Sequence, residues 1–327
     1  MSFQSKNLSY MFNKEYYTAV TTPTGAARSE KEIAEVNRTF VLSGVPLEAS
    51  SLGNHCFDLQ VQYPGLLTGL GYAHKSAAID GDIRGDIAQG FSFDYVTGVP
   101  YLPGSSVKGA IRNAFAPENR AYVQAFVGEN VDVEELEQAI FGTPLGEDDA
   151  DTDIFFDAYP SPKTPKTNTD RLFYLLDLDV VAPVCGENLS ATPNVQQFLR
   201  VKPGVVFDFR FQLRDSQLRS GKFTAEEKRT LFMQILKDFG VGARTNVGYG
   251  VLDDVDPKLC INGKEQPSDY RAQRNGFQQR PRTDSAEPTR KSCPQCGRMN
   301  YKFRMNSQEL NANWLSKTCF SCGGKLL

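Results

Sequence analysis

The chain has 327 residues, of which 40% are hydrophobic and 23% charged, with a formal net charge of -3 and 7 cysteines. That length accommodates one large domain or two modest ones with accessories, and the apolar share is enough for a sizeable core. No apolar run approaches the roughly 18 residues that span a bilayer, and the first residues lack the basic-then-apolar pattern of a secretory leader, so the expectation is a cytoplasmic protein with no membrane partner.

The first 38 residues read as an irregular extension punctuated by Pro, Gly and Ser. A strand is predicted at 55–63, where Phe57, Leu59, Val61 and Tyr63 alternate with Cys56, Asp58, Gln60 and Gln62. Gly-rich chain follows at 65–74, then a polar stretch from Ser76 to Gln89 that reads as an exposed loop or hairpin. Phe91 and Phe93 suggest a short strand, and Thr97-Gly98-Val99-Pro100 a turn. Ser105 or Ser106 suits the N-cap of a helix with Val107, Ala110, Ile111 and Ala114 on its apolar side. A second helical piece at 133–141 ends at Gly142.

Strands are predicted within 153–160, 171–181 and 205–213, the last with Val205, Phe207, Phe209, Phe211 and Leu213 on one face. The clearest helix is 225–239, opened by a Thr224–Glu227 capping box and striped by Leu231, Phe232, Ile235, Leu236 and Phe239. A glycine loop at 240–250 closes it, and a short strand follows at 250–255. Strand, helix, strands, helix, strand is the order of an α+β, ferredoxin-like (RRM-like) sheet with insertions. Four segments result: an extension at 1–38, a ferredoxin-like domain at 39–261, a flexible basic linker at 262–291 and a C-terminal module at 292–327.

Charge is unevenly spread. Residues 262–327 hold 12 of the 36 Lys/Arg and 5 of the 39 Asp/Glu, a net of +7 that leaves -10 for residues 1–261. A basic tail suits a polyanion, although most charge runs are solvated surface.

Gly-Val-Gly-Ala-Arg-Thr-Asn-Val-Gly-Tyr-Gly at 240–250 can bring backbone close to a ligand, its free N–H groups can meet phosphates, and Arg244 adds charge and a planar surface. Alone, such a loop is as well explained by a tight turn after a helix. It is paired, however, with Pro103-Gly104-Ser105-Ser106-Val107-Lys108-Gly109. In this pairing the chain resembles the CRISPR-associated RAMP superfamily, and within it the family of sixth subunits of the type III-B Cmr effector complex. Gly-Leu-Gly-Tyr-Ala-His at 69–74, the run 90–112, Ile-Phe-Gly at 140–142 and Asp-Ala-Tyr-Pro at 157–160 extend the resemblance over roughly 55–255. Lys75 stands where that family has a proline, and the Asp-rich insert 79–89 is long for its position.

The resemblance implies a non-catalytic subunit that caps the filament near the guide RNA 3′ end. Its partners would be guide RNA, target RNA and the Cmr-type backbone and small subunits. Base pairing would read sequence while the protein holds the backbone. The implied RNA contacts are His74, Lys75, Gly104, Ser105, Ser106, Lys108, Arg112, Gly242, Arg244, Thr245, Asn246 and Gly248. Gly104 to Ser106 would offer donors at a helix N-terminus, and Lys108 and Arg112 share one helix face. As plain structure, Ser105 would be only a cap and Lys108 a solvated lysine.

Cys293, Cys296, Cys319 and Cys322 form two Cys-x-x-Cys pairs, each followed by glycine. Two such pairs complete a tetrahedral site for a structural Zn²⁺, with Tyr301, Phe303 and Trp314 available as a small core. Four thiolates leave no open position for catalysis, and so short a zinc ribbon needs its metal to hold a fold. RNA contact and docking on a neighbouring subunit are equally open as its role.

Related backbone subunits cut target RNA with a loop aspartate, and Asp80, Asp82 and Asp86 occupy a comparable place. They define an alternative, a metal-dependent endoribonuclease, against the plainer reading of a solvated acidic loop. A protein-only zinc-ribbon scaffold is a third possibility. His55 and His74 are the only histidines, which makes a histidine-dependent ribonuclease a weaker alternative still.

Overall fold

The structure, a computed structural model, describes residues 3–69, 86–87, 90–142, 152–165, 172–181, 196–256, 290–292 and 299–301. These form a mixed α+β protein with antiparallel sheets, in two compact units: Met1–Arg112 with Glu134–Lys264, and Asn113–Val133 with Glu265–Leu327.

The larger unit is organised on one antiparallel sheet. Strand β1 (His55–Val61) lies between β6 (Val206–Gln212) and β9 (Leu252–Asp253), and β2 (Ile154–Phe155) and β3 (Tyr159–Pro160) pair with the other edge of β6. Phe57 lies opposite Phe209 and Leu59 opposite Phe207. Alternation therefore sends Phe57, Leu59, Phe207, Phe209 and Phe211 to one face, each no more than 5% exposed. Helix α7 (Ala225–Phe239) covers this face, with Phe232 5.6 Å from Phe211 and 5.5 Å from Phe155, centroid to centroid. Burying each such ring stabilises the fold by about 2–3 kcal/mol. The other face is polar: Asp58 and Asp208 sit directly opposite each other, tied to Lys163 at 2.5 Å and Arg210 at 2.6 Å respectively.

Helix α7 begins as the sequence predicts. Thr224 Oγ1 accepts from the Glu227 N–H at 3.3 Å, and the Glu227 carboxylate accepts the Thr224 N–H at 2.7 Å. Lys228 donates to Asp153 Oδ2 at 2.6 Å, the two side chains being 1% and 0% exposed. The second oxygen of Asp153 takes the Arg214 N–H at 2.9 Å, so neither buried charge stands alone. Helix α4 (Gly104–Asn113) follows β1, and α6 (Val133–Phe141) ends at Gly142.

Residues 1–38 differ from the irregular extension expected. The chain is α-helical over Leu8–Tyr10 (α1), π-helical over Met11–Glu15 and α-helical again over Tyr16–Val20 (α2), before α3 (Glu30–Val41). Leu8, Met11, Phe12, Tyr16 and Val20 are at most 1% exposed. They recur at helical spacing, but the polar residues between them and the Thr-Pro-Thr-Gly run at 22–25 hide the stripe. The Tyr16 hydroxyl donates to Asn37 Oδ1 at 2.6 Å and accepts the Ile87 N–H at 2.8 Å. Asn37 in turn donates to Gln197 Oε1 at 3.0 Å. Gln197 belongs to a hairpin of β4 (Leu176–Val181) and β5 (Gln196–Val201). A second hairpin, β7 (Ser216–Leu218) and β8 (Gly221–Phe223), leads into α7.

The smaller unit contains α5 (Arg120–Val127) and an antiparallel ribbon of β10 (Arg290–Ser292) and β11 (Met299–Tyr301), with Ser292 opposite Met299. Among the described residues no helix is long and apolar enough to cross a membrane.

Candidate nucleic-acid interface

Segment 65–69 leaves the end of β1 and runs between the glycine loop and the stretch that leads to α4. On one flank, Gly65 O accepts the Gly250 N–H at 2.8 Å and Leu67 O accepts the Ala243 N–H at 3.0 Å. A Cβ on Gly242 would strike the Leu67 carbonyl oxygen, and one on Gly250 the Val241 carbonyl oxygen. Both residues have positive φ, +88° and +70°, so close approach and backbone sign together require glycine. On the other flank, Thr68 Oγ1 donates to Tyr101 O at 2.6 Å and Thr68 O accepts the Ser92 N–H at 2.9 Å. Tyr101 enters the turn that opens α4. One short segment is therefore bonded to the glycine loop on one flank and to the approach to α4 on the other.

Within the loop, Arg244 has φ 58°, the only positive value at a non-glycine among the described residues. Its guanidinium lies 5.2 Å from the ring centroid of Phe198 in β5. Phe198 forms a small buried cluster with Leu67 and Tyr249. Thr245 and Asn246 are exposed in a single 3-10 turn that ends at Gly248.

At α4 the expected cap changes. The helix starts at Gly104, and the Gly104 N–H donates to Asp157 Oδ1 at 2.6 Å. Asp157 thus caps the helix, rather than Ser105 or Ser106, because the edge strand runs against 102–104: Leu102 pairs with Ala158, and a Cβ on Gly104 would meet the Phe155 carbonyl oxygen. Ser105 and Ser106 remain exposed. Beside them Tyr101 and Tyr159 stack at 5.8 Å. Burial, followed by the charges of Asp94 and Asp157, pushes the Tyr159 hydroxyl up to about 12.

Lys108 and Arg112 lie further along α4 and lean toward α6. Lys108 Nζ is 5.8 Å from the Phe155 centroid and 6.0 Å from that of Phe141. Arg112 lies 5.6 Å over Phe141 and 3.4 Å from Glu137. Gly242, Arg244, Thr245, Asn246 and Gly248 are thus grouped in one loop, Gly104–Ser106 open α4 against the β2–β3 edge, and Lys108 and Arg112 extend away along the helix. His74, Lys75, Asp80, Asp82, Cys293, Cys296, Cys319 and Cys322 lie outside the described residues. Asp86 sits near the Tyr16 hydroxyl, whose proton affinity is raised first by burial and further by that carboxylate. Ile87 beside it is fully buried.

Sequence reasoning missed Thr68, Asp157, Phe198 and the Asp179–Arg200 pair. Asp157 stood in the Asp-Ala-Tyr-Pro run and Tyr249 in the glycine loop, but no expected strand covered 196–201.

A β9-β1-β6-β2 sheet, with a glycine loop leading into β9 and the start of α4 set against the β2–β3 edge, is the frame on which the class is recognised. The RAMP superfamily model matches residues 58–253, and the chain belongs to the RAMP superfamily. It is 30% identical over 167 residues to the CRISPR system CMR subunit Cmr6 of Saccharolobus solfataricus, a match covering 50% of this chain and 48% of that protein. The chain thus matches about half the length of that curated relative. Among solved structures it is similar to a chain of the cryo-EM structure of the Type III-B Cmr-beta bound to cognate target RNA, at TM-score 0.43 and 21% identity over 73% of this chain and 78% of the other. It is also similar to Cmr6 from Pyrococcus furiosus, at TM-score 0.34 and 23% identity over 62% and 99%.

Proposed function

We propose that this chain is a non-catalytic, RNA-holding subunit of a cytoplasmic type III-B CRISPR effector particle. In this reading it caps the backbone filament near the guide RNA 3′ end, beside Cmr-type backbone and small subunits, and contacts guide and target RNA. Membership of the RAMP superfamily and the match to Cmr6 support the assignment. The observation that carries it is the hydrogen bonding of segment 65–69 to the glycine loop on one flank and to Ser92 and Tyr101, in the stretch leading to α4, on the other. In this reading a phosphate strand would meet Arg244, the exposed Thr245–Asn246 turn and the exposed Ser105–Ser106 hydroxyls. The strand order, with helices after β1 and β6, supports a ferredoxin-like domain.

Zn²⁺ held by Cys293, Cys296, Cys319 and Cys322 belongs to the same reading. The β10–β11 ribbon supports it, because its connecting residues carry the first cysteine pair. The metal would supply fold, not chemistry.

The test is binding of single-stranded guide RNA to the full chain across a salt series, with Mg²⁺ present. The expected outcome is binding without cutting, weakened by Arg244→Ala, with steep salt dependence. Metal-dependent cleavage lost in Asp80→Ala, Asp82→Ala or Asp86→Ala would move the assignment to a nuclease. A chain that ignores RNA and still assembles with the other subunits would be a protein scaffold.

A further inference from the structure

The face of the β4–β5 hairpin that meets the glycine loop has its own polar construction. Asp179 lies opposite Phe198 and Asp177 opposite Arg200, so all four side chains share one face. Arg200 donates to Asp177 at 2.7 Å, to Asp179 at 2.9 Å and to Pro64 O at 2.6 Å. The Tyr249 hydroxyl donates to the same Asp179 oxygen at 2.6 Å. The Tyr249 ring packs edge-on against Phe198 at 5.9 Å, and that Phe198 ring carries the Arg244 guanidinium.

We propose that Tyr249 and Arg200 are positioning residues that occupy the hairpin carboxylates and so keep Arg244 available to RNA. The inference rests on the RNA-holding reading above. Two carboxylates on the surface that supports Arg244 are its natural intramolecular partners. With Asp179 engaged by two side-chain donors and Asp177 by one, the guanidinium stays on Phe198 and its charge remains available to an external anion. The left-handed backbone at Arg244 gives the same answer from another side: an L residue resists that conformation, and the neighbouring Tyr249 fastens the loop to the hairpin on which Arg244 stacks. Burial, and then the bond to Asp179, hold the Tyr249 hydroxyl well above the ordinary tyrosine range, so it stays a donor.

The experiment titrates the full chain with a fluorescein-labelled oligouridine RNA across a salt series, with the unfolding midpoint recorded for every variant. Arg244→Ala is expected to weaken binding about tenfold and to flatten the salt slope by about 0.7, the value of one single-strand phosphate contact. Tyr249→Phe keeps the ring and loses only the hydroxyl bond. It is expected to weaken binding roughly three- to tenfold with the same flattening, and to add nothing to Arg244→Ala. Adding Asp179→Asn to Tyr249→Phe removes the freed charge and is expected to restore binding, a recovery that a simple loss of stability would not give. Arg200→Gln, which withdraws the other donor, is expected to behave like Tyr249→Phe and serves if that variant folds poorly. Tyr249→Phe with wild-type affinity and slope, a loss additive with Arg244→Ala, or no recovery with Asp179→Asn each overturns the inference. Wild-type binding by Arg244→Ala overturns the RNA-holding reading instead.

Discussion

A helix N-terminus attracts anions because its first amides lack intrahelical partners, and at Gly104 that place is taken by the chain's own Asp157 carboxylate. A phosphate arriving there meets a like charge. Asp157→Asn keeps a capping oxygen and removes the repulsion, and RNA binding is expected to tighten by about fivefold, the ~1 kcal/mol of two charges at contact distance in water, read by anisotropy at fixed salt. Arg244 allows a complementary test, because its backbone and its side chain can be separated. At φ 58° a Cβ costs about 1 kcal/mol that glycine avoids. Arg244→Gly should therefore unfold at higher denaturant than Arg244→Ala, while both lose RNA affinity equally.

At the scale of elements, α7 is held by features that differ in kind. Its capping box is exposed, and Thr224→Ala is expected to cost about 1 kcal/mol in urea unfolding. The Glu227 carboxyl is held below its ordinary range, first by the Thr224 N–H and then by the Thr224 hydroxyl. A folded value below the unfolded one means that this contribution is present above the usual glutamate range and lost as pH falls through the folded value. Glu227→Gln should therefore show a shallower loss of stability on acidification. The Lys228–Asp153 pair is buried, and Lys228→Ala strands a carboxylate at about 3–5 kcal/mol. The sequence made α7, β1, β6 and α6 legible, because each carries either strict alternation or a stripe with a cap. It did not reveal β5, which combines Gln196, Gln197 and Arg200 with apolar neighbours and gains its meaning only opposite Asp177 and Asp179. Nor did it reveal the Asp157 cap, whose partner lies 53 residues away. The site was legible as two motifs, while segment 65–69, which bonds the glycine loop and the stretch ahead of α4, carried no signal beyond glycine content.

For the molecule as a whole, the seven cysteines give a count that can be measured. Purified chain is expected to carry one zinc per molecule by elemental analysis, lost in Cys293→Ser. The N-terminal helices have a different dependence. Asn37 finds its hydrogen-bond partner Gln197 only 160 residues further along the chain. During synthesis at ~5–20 residues per second, the helices wait on the order of ten seconds for that strand to emerge. Through that interval α3, whose Phe40 ends in the interior, lacks the hairpin against which it packs. A shortened form that keeps the helices but stops before residue 196 would hold the polypeptide permanently at this half-made stage, and should pellet on expression where the full chain stays in the supernatant.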